Sequence, residues 1–396
     1  MPYRLRNLAL EPYRLFFTAG SLYAIVAVGI WFTWLHALDH SIILFNWLEP
    51  PHFIHAHVML YGVIGLYVFG FILTAFPRFV EQPLPNPKWV FSLWLAFLLS
   101  QVFLVIGTFT PGPWMVLAGI FEALSYLALW VTLARLYLRS GNFRQNKQPA
   151  FLLIALLFGA AGVILSYLYY GLHLDQRFYT LSVEVGTYGY LLLLIVAITY
   201  RVVPFFTGKI IADYVPRRGK FTLEIVLALI VLRIGLMVSL SPSLIQNYLS
   251  WALNLVLLGV LAREWWSWLP KKMAQAPMLK VLYLGLTWVL IFLGFSAYEI
   301  IVHLLRPDAP VFPVIYTPAL HALYVGCFGT LLLGISTRVV RGHGGLPIVA
   351  DKMLLAALLS IQLAAVLRVV IPLLGLRWPG LIGQNYWAGF FWCVAF

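Results

Sequence analysis

Long apolar runs alternate along this chain with short polar breaks. An α-helix rises about 1.5 Å per residue, so about 20 apolar residues cross the hydrocarbon core of a bilayer. Runs of that kind predict twelve helical spans, at 15–36, 54–76, 89–109, 114–138, 150–173, 182–203, 222–240, 245–268, 279–303, 317–338, 352–374 and 383–396. The breaks carry turn chemistry: Pro83-Leu84-Pro85, Pro111-Gly112-Pro113, Pro216, Pro242, Pro270 and Pro307. The reading is all-α, a polytopic membrane helical bundle.

The same pattern repeats three times. Span 2 opens His57-Val-Met-Leu-Tyr61-Gly62, span 6 Glu184-Val-Gly-Thr-Tyr188-Gly189, and span 10 His321-Ala-Leu-Tyr-Val325-Gly326. Twenty residues further on stand Pro77, Pro204 and Arg341, and the preceding spans 1, 5 and 9 end on His36, His173 and His303. The expectation is one transmembrane domain over 1–396, built as a pseudo-threefold arrangement of three four-helix units at about 14–149, 150–278 and 279–396.

Composition agrees. Of 396 residues, 62% are hydrophobic and only 10% charged, too little charge for a soluble surface. The net charge of +13 follows from loops and not from a nucleic-acid surface. Twenty-one of the 26 lysines and arginines fall at the N-terminus and in alternate loops, from Arg4, Arg6 and Arg14 to Arg338, Arg341 and Lys352. The opposite loops hold only Arg177, Arg306 and Arg377, and Arg233 and Arg368 lie inside spans. Positive residues stay inside, so the N-terminus is expected in the cytoplasm, in a bacterial inner membrane. No cleaved leader is expected, because the short basic start runs into a full-length span. Cys327 and Cys393 both lie in apolar runs and form neither a disulfide framework nor a thiolate site.

Orientation then sorts the histidines. His36, His40, His52, His55, His57, His173, His303 and His321 fall on the outer, periplasmic side, and only His343 on the inner. A single histidine at a helix end is ordinary interfacial polarity. Eight together on one side suggest a site, since neutral imidazole is a common metal ligand and an axial haem ligand.

At these residues the chain resembles the NnrS family of haem- and copper-containing membrane proteins associated with denitrification and nitric-oxide stress. The stretches that carry the resemblance are His55-Ala-His57-Val-Met-Leu-Tyr-Gly with Gly70-Phe-Ile-Leu-Thr-Ala-Phe-Pro77; Arg201-Val-Val-Pro-Phe-Phe-Thr207; and His321-Ala-Leu-Tyr-Val-Gly326 with Thr337-Arg338-Val and Gly342-His343-Gly344. One position departs: the family pattern has Glu after the second histidine, and this chain has Val58. The plan is also distantly reminiscent of haem–copper oxidases and nitric-oxide reductases, where spans 2, 6 and 10 contribute ligands. Span 6 here offers Glu184 and span 7 no histidine, so a copper site would be built differently.

The resemblance implies haem, of b type, and copper. His57 and His321 are the expected haem ligands, by their matched repeat positions. His55, two residues from His57, points about 160° away on a regular helix and is a second cofactor-side candidate. His36, His173 and His303, with His52 as substitute, are the copper candidates. Arg233 and Arg368 suit haem propionates, with backbone carbonyls or a nearby acid as the alternative. Glu122, Glu184 and Glu299 are candidate proton carriers. The expected substrate is nitric oxide, reduced to nitrous oxide with electrons from a quinol or a redox protein. Two alternatives stay open: a protein that only holds nitric oxide in nitrosative stress, and a metal or ion transporter.

Overall fold

The computed structural model describes residues 10–141, 146–211, 214–239, 243–270, 277–305, 316–375 and 378–396. Pro242 and Pro307, and the basic residues Arg4, Arg6, Arg144, Lys271, Lys272, Arg306 and Arg377, lie outside the described residues.

Among the described residues, twelve helices follow one another in the order the apolar runs predict. They are α1 (Pro12–Asp39), α2 (Pro51–Phe79), α3 (Pro87–Phe109), α4 (Trp114–Ser140), α5 (Gln148–Tyr170), α6 (Arg177–Ile210), α7 (Thr222–Ser239), α8 (Leu244–Trp268), α9 (Met278–Leu305), α10 (Thr317–His343), α11 (Lys352–Gly375) and α12 (Tyr386–Ala395). Eleven are long and apolar enough to cross a membrane, and the chain is a multi-pass membrane protein. The exception is α12, whose 10 residues after a tight turn at Pro379–Asn385 reach only about half the hydrocarbon thickness.

The threefold repeat is written into the backbone. The second helix of each repeat contains one π-helical stretch: Val58–Val63 in α2, Val185–Leu192 in α6 and Ala322–Gly329 in α10. The residue that immediately precedes each stretch is His57, Glu184 or His321, the polar residue of the repeat. In α2 the wider turn is closed by Ile64 N–H donating to Met59 O, five residues back. Such turns are rare and gather at functional sites.

Burial repeats too. In α2, 89% of the apolar window is buried within the protein, against 39% in α3 and α4 and 28% in α7. The third and fourth helices of the repeats leave residues such as Val102, Ile120, Leu124, Val231 and Val256 exposed, the surface a lipid environment requires.

The chain forms two compact units, Phe45–Thr199 with α1 as far as Ala24, and Tyr200–Phe396 with Ile25–Leu44. The core of the first is aromatic, with Phe69 between Phe97 and Tyr126 at ring distances of 4.8 and 4.9 Å. The second packs Met278 and Val281 of α9 against Leu354 and Leu358 of α11. There Gln362 accepts from Trp288 Nε1 (2.8 Å) and donates to Thr330 Oγ1 (2.6 Å).

Candidate functional site

The first unit carries the strongest polar constellation. His57, at the last α-helical position before the π turn of α2, is buried, and Glu122 of α4 is fully buried. The two are joined through His57 Nε2 and Glu122 Oε2 at 3.0 Å. Tyr167 of α5 donates its hydroxyl to the same carboxylate oxygen at 2.8 Å. On the other side of the ring, His57 Nδ1 lies 2.9 Å from Ser166 Oγ, whose proton has the Val163 carbonyl as an acceptor at 2.8 Å.

Proton accounting follows from these contacts. With Ser166 donating to Val163 O, its oxygen accepts from His57 Nδ1–H, and one proton is left between Nε2 and Oε2. In that arrangement the pair is neutral, drawn either as imidazolium and carboxylate or as imidazole and carboxylic acid. That neutrality is what a low-dielectric interior demands, because a lone buried charge is costly there. The arrangement is a chain, Tyr167–Glu122–His57–Ser166, able to hold one proton and pass it along hydrogen bonds.

Tyrosines wall it in. Tyr167 meets the His57 ring edge-on at 5.0 Å, and Tyr61 lies 5.3 Å away. The Tyr61 hydroxyl reaches between α5 and α6 and donates to the Ser182 carbonyl at 2.6 Å. It passes where Gly162 and Gly186 carry no side chain; a Cβ at either would run into its oxygen. Tyr126 in turn donates to Tyr61 O at 2.9 Å, fixing the backbone of the π turn.

The structure distributes the other predicted residues differently from expectation. His321 donates Nδ1–H to Thr317 O at 2.7 Å, which makes Nε2 its basic nitrogen; His40 and His343 make the same bond to His36 O and Val339 O. His57 has no such nitrogen to offer, since both are taken by Glu122 and Ser166; axial ligation would require giving up one of these bonds. The two histidines belong to separate units. For the copper trio, His36 is exposed and lies against Phe32, His40 and Tyr386. His173 is exposed at a left-handed φ of 50°, 3.8 Å from Glu49, and His303 is buried against Tyr248 and Trp251. His52 is exposed with its ring on Phe53, and His55 is half-buried. Among the described residues no three His, Cys, Asp or Glu side chains come together as a metal cluster.

Arg233 is buried and donates to the Ser250 carbonyl at 3.1 Å, so a backbone acceptor is in place. Arg368 is half-buried in α11. Glu184 and Glu299 are buried. Glu122 has a histidine partner, His57. Ser166 and Tyr167 were not singled out by sequence reasoning. The one available signal was the run Ser166-Tyr-Leu-Tyr-Tyr170, polar and aromatic at the end of an otherwise aliphatic span.

Fold and site together define a polytopic helical membrane protein with a buried histidine–carboxylate pair beside a π-helical turn. The chain matches the family model described as NnrS protein over residues 7–396, and it belongs to that family. No curated protein matches it. Val58 is buried and begins the π turn.

Proposed function

We propose that this protein reduces nitric oxide to nitrous oxide within the membrane, and that the Tyr167–Glu122–His57–Ser166 chain supplies protons to that reaction. Family membership supports the link to nitric oxide. The observation that carries the enzyme reading is the buried Glu122–His57 pair, joined at 3.0 Å. A protein that merely holds a neutral gas has no use for an internal proton store. Joining two nitric oxide molecules into nitrous oxide and water consumes two protons and two electrons. The electrons come from a quinol or a redox protein. Haem, when bound, would supply the metal that takes up nitric oxide. Glu122 releases a proton when His57 can refill it, and Tyr167 and Ser166 hold the two in line. Copper has no comparable support in the described residues.

The test is nitric-oxide consumption by the purified, haem-loaded protein with an artificial electron donor. Wild type consumes the gas, and Glu122→Gln lowers the rate by about 10²-fold or more with an unchanged haem spectrum, the scale expected for loss of a positioned acid. Binding without consumption by wild type under every donor tried refutes the proposal and leaves a nitric-oxide-holding protein.

A further inference from the structure

Two imidazoles meet at the C-terminal end of α1. His36 lies in its last turn and His40 directly follows its end, four residues on, so the two side chains share a face. Their ring centres are 4.4 Å apart, with the planes at 49°. Both residues are exposed. His36 is set in place by aromatic rings: Phe32, one turn back, stacks nearly parallel to it, and Tyr386 of α12 meets it edge-on at 5.0 Å. His40 is set by its own bond, Nδ1–H donating to His36 O at 2.9 Å, which makes Nε2 its basic nitrogen. His321 and His343 make the same bond, so that bond does not by itself mark a ligand. What His40 has in addition is a second imidazole against its ring.

We propose that His36 and His40 chelate one divalent late-transition-metal ion at this helix end. The spacing of the rings fits. A metal–imidazole bond of about 2.0–2.1 Å puts each ring centre about 3.2 Å from the ion, and two rings in neighbouring coordination positions then have centres about 4.5–5.2 Å apart. Closing the chelate from the observed 4.4 Å takes a relative ring shift of about 0.1–0.8 Å. The surroundings favour a cation. A helix carries a partial negative charge of about half an electron at its C-terminal end. Asp39 adds a carboxylate next in the chain to His40, and its side chain lies against Gly383, where a Cβ would collide with it. Among the described residues it does not complete a cluster of three, so water fills the remaining coordination positions. Imidazole suits Cu²⁺, Ni²⁺ and Zn²⁺, whereas Mg²⁺ and Ca²⁺ take oxygen ligands, and the Irving–Williams order puts Cu²⁺ first. Two ligands at an exposed position make an exchangeable site and not a closed redox centre. The site stands whether or not nitric oxide is the substrate.

The test is titration of the tag-free, metal-stripped full chain in detergent, with Zn²⁺ by calorimetry and with Cu²⁺ by electron paramagnetic resonance. Wild type should bind in the micromolar range, with a Cu²⁺ spectrum showing two imidazole nitrogens. His36→Gln and His40→Gln should each weaken binding by about tenfold or more, because the second imidazole no longer adds its effective concentration. Each should also leave one nitrogen in the Cu²⁺ spectrum. Both positions are exposed, and unchanged helical content confirms that the variants are folded. His173→Gln, at another exposed histidine, should alter neither reading. Wild type that binds no ion in the micromolar range overturns the proposal, and so does an affinity that stays unchanged in His36→Gln or in His40→Gln.

Discussion

Replacing Glu122 tests the buried pair most directly, because alanine and glutamine remove different things. In Glu122→Ala, His57 Nε2 and the Tyr167 hydroxyl lose their shared acceptor inside a fully buried site. Each stranded polar group costs about 1–3 kcal/mol, and loss of one partner of a buried ion pair is measured at about 3–5 kcal/mol. A destabilisation of about 3–5 kcal/mol is expected. Glutamine keeps an acceptor for Tyr167 and for an Nε2–H of His57, while Ser166 turns its proton to Nδ1. Its cost should stay near that of one exchanged hydrogen bond, about 0.5–1.5 kcal/mol. Reversible unfolding in mixed SDS–detergent micelles measures both, with helical content as the readout. If Glu122→Ala lies within about 1 kcal/mol of wild type, the carboxylate is not an integral partner of His57, and the proton chain built on it falls with it.

Two further outcomes follow. His321→Ala should abolish the haem absorbance of the purified protein while His57→Gln keeps it, since His321 has its Nδ1 tied to a carbonyl and His57 has both ring nitrogens engaged by side chains; absorption spectra decide, and the reverse result would restore His57 as the axial ligand. In the loop before α2, burial pushes the Glu49 carboxyl above its ordinary range, and the nearby His173 partly offsets this. A carboxyl raised on folding favours the protonated form, so its contribution to stability is greatest below the unfolded pKa and declines as pH rises through the folded one. Glu49→Gln should therefore gain stability relative to wild type between about pH 4 and pH 7, and a constant difference across that range would contradict the assignment.

The spans, the repeat and the family were legible in the chain itself. Apolar runs of bilayer length can do little but cross a membrane as helices, since every backbone polar group must be satisfied within its own segment. A repeat of His, Glu and His five residues before a glycine is a one-dimensional pattern, and it mapped onto three π-helical turns at the same register.

Partnerships were a different matter. Glu122 was a candidate, yet nothing local says that it bonds His57, 65 residues away, or that Tyr61 reaches Ser182 across 121 residues. Hydrophobic periodicity reports which segments leave water and is silent on which face meets which neighbour. The conformation of residues 58–63 was equally hidden, because a turn closed at the fifth residue uses the same apolar side chains as one closed at the fourth. Only tertiary packing decided these points. Tyr126 holds the carbonyl of Tyr61, glycines clear a lane for its hydroxyl, and a buried carboxylate accepts from whichever donors the packed helices bring within 3 Å.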